Sequence, residues 1–234
     1  GGGGGGGGGG RRAGGGGGGP RGWRRRGDRV NGRGAGEGLV GAGADQVGVA
    51  VAPDMSETAR TALGGLPGVT LVEGGATRSS SVRAALAALS HGQRDQPVLV
   101  HDAARPFLTR DHVSQVLGAL AEAEGAILAL PQADTLKRPA GAVLETPSRE
   151  GLWRAQTPQA FPRDTLEAAY AAWPGDQEPT DDAQVVTAAG GAVAICPGDP
   201  PRFKLTYPDD FADRTSTRLN SSHAVSSYAV FCLT

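Results

Sequence analysis

Five short apolar runs constrain this chain more than any other feature. They are QVGVAVA (46–52), GVTLVE (68–73), PVLVHD (97–102), GAILALP (125–131) and GAVAICP (191–197). Each is bounded by Gly, Pro or Asp. Runs without a polar side suit strands covered on both faces, as in a parallel sheet. Helical patterns lie between them. In DHVSQVLGALAEA, Val113, Val116, Leu117 and Leu120 share one helical face, and Thr109 stands where an N-cap belongs. SSSVRAALAALSHG (79–92) opens on serines and closes at Gly92, and RDTLEAAYAAW (163–173) gives a third helix. Strands alternating with helices predict a three-layer α/β sheet with helices on both faces and right-handed crossovers.

One stretch breaks the alternation. Residues 134–161 carry a turn at Pro139-Ala140-Gly141 between two short β-like runs. This predicts a β-hairpin arm standing away from the sheet. An isolated hairpin buries little by itself, so a partner subunit, and hence a homodimer, is expected.

Composition divides the chain. Of its 39 glycines, 24 fall in residues 1–44, together with 8 arginines against 2 acids. Too little apolar surface lies there to offset the entropy of ordering, so a disordered or mistranslated leader is expected over 1–44, with the globular body over 45–214. The net charge of −1 therefore covers a basic leader and an acidic body, which argues against nucleic-acid binding by the body. No run approaches the ~18 apolar residues that span a bilayer. Cys196 and Cys232 make no disulfide framework. The expected setting is cytoplasmic, away from membranes. The last segment (215–234) is serine-rich and ends in an apolar hexamer with no evident place in the sheet, so it reads as a non-native tail.

Ligands of open α/β sheets sit at the carboxyl ends of the strands. Asp102 ends one strand, and Gly74-Gly75 follow another, so the two loops should share a crevice. The serines after the glycines begin a helix, which suits either capping or an anion. Asp102 could accept hydrogen bonds from hydroxyls, ligate Mg²⁺ or pair with Arg105. His101 reads as a packed or capping residue. No zinc spacing and no nucleophile motif occur. Only two of the 23 basic residues are lysines, Lys137 and Lys204. A compact ammonium suits a point contact to phosphate.

VHDAARPF, DTLKR, ETPSREGLWRAQTPQAF, PTDDAQVV and FKLTYPDDF occur in this order. Together they resemble the motifs of the 2-C-methyl-D-erythritol 4-phosphate cytidylyltransferases of non-mevalonate isoprenoid synthesis. The resemblance covers roughly 45–213. It implies a Rossmann-like nucleotidyltransferase sheet, a homodimer clasped by the arm, and Mg²⁺-dependent attack of the substrate phosphate on the α-phosphorus of CTP. Carried over residue by residue, Arg149 and Lys204 would hold the acceptor phosphate with Thr135 assisting, and Lys137 is a further candidate. Asp102, Arg105 and Thr157 would hold the erythritol hydroxyls. Gly75, Ala76 and Ser81 would edge the cytosine. Two other readings stand beside it: a ribitol 5-phosphate cytidylyltransferase, and a non-catalytic module whose basic leader contacts RNA.

Two departures stand out. Arg202 occupies the place of an asparagine common in the family. The family's N-terminal A-A-G-x-G-x-R-x-G signature and its lysine have no counterpart; in AGEGLVG (35–41), Val40 stands where the arginine belongs. A shift of reading frame restored near Asp45 is the hypothesis that would account for both the leader and the missing signature. Translating the encoding DNA in the other two frames should then yield a glycine-rich signature with Arg and Lys. A blank result in both frames would refute the shift.

Overall fold

The computed structural model describes residues 29–89 and 96–200, together with Gly1, Arg25–Arg26 and Tyr228–Cys232. Two dipeptide strands, β1 (Arg25–Arg26) and β2 (Arg29–Val30), pair antiparallel ahead of helix α1 (Asn31–Gly41). Then come β3 (Gln46–Val51), a 3₁₀ turn at Pro53–Met55, α2 (Ser56–Leu63), β4 (Val69–Glu73), α3 (Arg78–Ala88), β5 (Pro97–Asp102), α4 (Arg110–Ala119) and β6 (Gly125–Pro131). The arm strands β7 (Arg138–Ala140) and β8 (Val143–Glu145) precede β9 (Trp153–Pro162), α5 (Arg163–Ala172), α6 (Asp182–Ala188), β10 (Val193–Pro197) and β11 (Tyr228–Cys232).

Seven strands form the main sheet in the order β10-β6-β9-β5-β11-β3-β4. Their pairings run β3, β4, β5, β6 and β10 in one direction, with β9 and β11 opposed. All five apolar runs are thus strands, and they end at the same edge of the sheet. Alternation along each strand feeds two cores. Val47, Val49, Leu99 and Leu128 pack with α1, α2 and α4 on one face. Ala50, Val98, Val100 and Ile127 pack with α3, α5 and α6 on the other. Thr109 caps α4 as expected, its hydroxyl accepting from His112 N. Arg163 is 1 % exposed at the C-terminal end of α3, where its guanidinium donates to the carbonyls of Leu86 (2.8 Å) and Leu89 (3.3 Å). A cation at a helix C-terminus satisfies carbonyls the helix leaves open.

Four sequence expectations need correction. The sheet is mixed, because β9 and β11 run against the other five. The arm is only the β7–β8 hairpin; residues 153–161, taken as part of it, belong to β9, an interior strand paired to β5 and β6. The leader does not stay outside the fold up to residue 44. Helix α1 buries Ala35 and Leu39 in the core, although glycine at five of its 11 positions costs about 1 kcal/mol each against alanine. Packing explains it. A Cβ on Gly34 would stand 3.0 Å from Pro106 Cβ, and one on Gly38 3.0 Å from Leu108 Cβ. The two glycines, one turn apart, let α1 lie directly on the 106–108 segment. AGEGLVG is therefore a helix packing face and not a phosphate loop. Last, the apolar hexamer has a place after all: Tyr228–Cys232 sits in the middle of the sheet, antiparallel to both β3 and β5. Two open strand edges there attract any segment of high β propensity.

Deleting residues 215–234 leaves those two edges unpaired. At a net 0.5–1.5 kcal/mol per hydrogen bond the loss should reach about 3 kcal/mol or more. That corresponds to a melting midpoint lower by about 10 °C, accompanied by edge-driven aggregation. An unchanged midpoint would mean that the sheet closes without β11.

Candidate functional site

A cavity of about 280 Å³ opens at the carboxyl ends of the strands, lined by Arg78, Asp102, Arg105, Gln156, Thr157, Gln159, Thr180 and Asp181 with Ala155. Most come from sites where regular structure stops or is interrupted. Asp102 ends β5, and Arg105 follows in the turn closed by Arg105 N to Asp102 O at 2.9 Å. Arg78 begins α3. Thr180 and Asp181 precede α6, whose N-cap is Asp181, accepting from Gln184 N at 2.9 Å. Thr157 owes its position to an irregularity in β9. The β6–β9 register shifts between Ile127 and Ala129, so residues 156–158 stand opposite Leu128 alone. Bulges of this kind release side chains from the ladder and re-aim them.

The polar groups are tied together. Asp102 Oδ1 accepts from Ala104 N at 3.0 Å, and Asp102 N donates to Thr157 Oγ1 at 3.1 Å. Behind them lies His101, with no exposed surface. Its Nε2 is 2.9 Å from the Arg105 carbonyl, and its Nδ1 is 3.0 Å from Thr157 Oγ1. A carbonyl can only accept, which puts a proton on Nε2. In the neutral ring Nδ1 then accepts from the Thr157 hydroxyl. His101 is thus a packed brace, as its sequence position suggested. Gln159, 1 % exposed, donates to Asp181 Oδ2 at 2.9 Å and accepts from Ala183 N at 3.1 Å. Burial lowers the Arg105 pKa from its ordinary value, against the pull of Asp102.

Three of the sequence-predicted site residues meet here: Asp102, Arg105 and Thr157. The others lie elsewhere on this chain. Gly75, Ala76 and Ser81 form the neighbouring loop and first turn of α3, and do not line the cavity. The Ser81 hydroxyl donates to Thr77 O at 2.8 Å. Gly75 is pressed on Ser80, whose Oγ would stand 2.1 Å from a Cβ there. The α3 N-cap is Thr77, in a capping box with Ser80, so capping is provided upstream of Ser81. Thr135, Lys137 and Arg149 lie at the arm and its base. Lys137 Nζ donates to Thr146 Oγ1 at 2.6 Å, and Arg149 Nη1 donates to Ala133 O. Lys204 and Arg202 lie outside the described residues. The sequence reading missed Arg78, Gln156, Gln159, Thr180 and Asp181, although all five sit inside motifs it quoted or beside them.

Mg²⁺ takes oxygen ligands, typically one or two carboxylates with phosphate oxygens and water. Asp102 and Asp181 give the cavity that donor chemistry. Among the described residues no group of three His, Cys, Asp or Glu side chains could hold a metal by itself.

The sheet and the cavity at its carboxyl edge define a nucleotidyltransferase-like α/β protein. The family model described as 2-C-methyl-D-erythritol 4-phosphate cytidylyltransferase matches residues 36–216. The chain belongs to that family. It is 53 % identical over 191 residues to the bifunctional enzyme IspD/IspF of Caulobacter vibrioides, covering 81 % of this chain and 50 % of that protein. It is 47 % identical over 176 residues to the 2-C-methyl-D-erythritol 4-phosphate cytidylyltransferase of Bordetella petrii, covering 74 % and 78 %. The crystal structure of the Thermus thermophilus cytidylyltransferase superposes with a TM-score of 0.69 at 36 % identity, covering 83 % of this chain and 91 % of that one. The chain thus spans about half the length of the bifunctional relatives it matches.

The loop before α6 is pinned to the start of α3. Glu178 accepts from Ser79 N and Ser79 Oγ, both at 2.7 Å. Burial alone would raise its pKa; the Ser79 bonds, Thr77 and Arg78 outweigh it and hold the carboxyl below its ordinary value. A lowered folded-state pKa gives stability that is present at neutral pH and lost as pH falls through that value. Glu178→Gln should flatten the acid limb of the melting-midpoint profile as pH falls through and below the ordinary carboxylate range. Superimposable acid limbs for the two proteins would remove Glu178 from the pH response.

Proposed function

We propose that this chain is a cytidylyltransferase domain that couples CTP to 2-C-methyl-D-erythritol 4-phosphate for isoprenoid precursor synthesis in the cytoplasm. The observation that carries the reading is the cavity holding Asp102, Arg105 and Thr157 together at the strand ends. Carboxylates and hydroxyls suit a polyol, and guanidinium groups suit its phosphate. The acceptor phosphate oxygen forms a bond to the α-phosphorus of CTP, the α–β bridging bond breaks, and pyrophosphate leaves. Such a transfer needs in-line placement and charge neutralisation and no protein nucleophile. That fits a site of Asp, Arg and Thr. Gly75, Ala76 and Ser81 would edge the cytosine. Asp102, with Asp181 near it in the cavity lining, would hold Mg²⁺, which when bound neutralises phosphate charge.

Arg149, Thr135 and Lys137 enter through a second copy of the chain. The arm and its base expose Val143, Leu144, Leu152 and Trp153, at 65, 59, 44 and 47 %. An apolar surface of this kind is a docking face. A homodimer would bring Arg149 of one copy to the cavity of the other; Lys204 joins it in this reading through the family resemblance alone.

Equilibrium binding of 2-C-methyl-D-erythritol 4-phosphate, and pyrophosphate release from CTP, test the reading on the 234-residue chain. Acceptor binding is expected, with weak turnover because the arginine and lysine of the N-terminal signature have no counterpart. Turnover at an ordinary enzymatic rate would refute that impairment. A preference for ribitol 5-phosphate, or no binding of either polyol phosphate, would overturn the assignment. Arg149→Ala and Lys204→Ala should each weaken acceptor binding by about 10- to 100-fold at an unchanged melting midpoint. Loss of the fold would make both residues structural.

A further inference from the structure

Resting on the cytidylyltransferase reading, we propose that Asp182 is a positioning residue: it holds the Arg78 guanidinium at the cavity wall, where Arg78 binds the anionic acceptor. Asp182 has no exposed surface and does not line the cavity. Its two carboxylate oxygens are both used. Oδ2 receives Arg78 Nη2, from the first residue of α3, and Oδ1 receives the Tyr170 hydroxyl, from α5, at 2.6 Å. Tyr170 is itself 4 % exposed, so the carboxylate is fixed from behind by a side chain with little room to move. Burial and the Asp182 charge push the Tyr170 pKa up, so it stays a donor.

A buried carboxylate is unfavourable unless it is paired and hydrogen-bonded. Here one guanidinium edge supplies the charge, and Arg78 is also one of the residues lining the cavity, with Arg105, Thr157 and Thr180. Residues 78 and 182 are 104 positions apart. Two further bonds from Ser79 to Glu178 hold the same pair of segments together. The ion pair therefore fixes the side chain of a cavity-lining residue, and it does so through a residue that does not itself line the cavity. Arginine forks bind phosphate oxygens in two-point fashion when their plane is fixed.

A double-mutant cycle on the full chain tests this, with calorimetric titration of 2-C-methyl-D-erythritol 4-phosphate as one arm. Asp182→Asn should weaken binding about tenfold and Tyr170→Phe about threefold, and Arg78→Lys should match or exceed Asp182→Asn. Adding Asp182→Asn to Arg78→Lys should cost little more, because the first acts through the second. Additive losses would overturn the proposal, as would a folded Asp182→Asn protein that binds like wild type. The second arm needs no ligand: ¹⁵N spectra of arginine side chains. Restricted rotation about the Arg78 Nε–Cζ bond should give separate Nη signals in wild type that merge in Asp182→Asn. Should wild type bind no polyol phosphate, the cytidylyltransferase reading fails, and these spectra alone decide the positioning: merged signals uphold it and unchanged signals overturn it.

Discussion

Strands β3 and β4 reach the rest of the main sheet through the peptide groups of β11. Tyr228 to Cys232 pair with Ala50 to Gln46 on one side and with Asp102 to Val98 on the other. Among the described residues no direct β3–β5 pairing spans that gap. The consequence reaches the site. The glycine loop follows β4, and its Gly74 N–H bonds back to Val51 O at the end of β3 at 2.8 Å. Asp102 and Arg105 follow β5. The distance between the loop expected to edge a nucleotide and the cavity expected to hold an acceptor is therefore set by the register of one short strand. Each residue of slip in that pairing would displace β3 and β4 along β5 by about 3.3 Å, more than a hydrogen-bonded ligand spanning the two loops could absorb.

Helix α1 meets the same constraint from the other side. Its sequence is poor for a helix, and its glycines suit a phosphate loop better than a rod. What decides the outcome is the surface it covers: Leu63, Leu66, Pro106 and Leu108 crowd any side chain at Gly34, Gly36 and Gly38. Arg33 fastens the helix to α2 by donating to the Ala62 carbonyl at 2.9 Å, and Glu37 on the same helix accepts from it at 2.8 Å. Tertiary burial overrides local preference here, as it commonly does when the gain lies in close packing.

Those two elements mark where the sequence stops being legible. The five apolar runs and the three helices with caps or clear periodicity are readable because each carries its own signal: uniform apolarity, an i, i+3, i+4 face, Thr109 at a start. Asp102, Arg105 and Thr157 are readable because they stand at the ends of such runs or in motifs of the family. Strand β9 reads as arm because Gln156-Thr157-Pro158-Gln159 is polar and contains a proline. Its sheet position depends on neighbours from β5 and β6, and its bulge is where the proline is tolerated. Arg78, Gln159 and Asp182 have no readable role, because their partners lie 104, 22 and 12 residues away. Helix α1 and β11 are excluded on composition. Composition describes what a segment can stabilise alone and says nothing of the groove or edge it completes.

The cavity has a consistent construction in depth. Arg78, Asp181 and Thr157 face it, and each is held by a group with almost no exposed surface: Asp182 and His101, which stand behind Arg78 and Thr157, and Gln159, which lines the cavity beside Asp181. These holding groups are unfavourable to bury unless fully bonded, and each makes at least two hydrogen bonds to neighbouring elements. Those bonds fix orientation at the front. A transfer reaction that depends on alignment more than on a covalent protein group gains most from dipoles and charges already in place. The same arrangement explains why front and rear residues differ in sequence setting. Front residues sit at helix starts and at the bulge, where the chain can point a side chain outward. Rear residues sit one step inside a strand or in the first turn of a helix, at positions that the two cores would otherwise fill with apolar side chains.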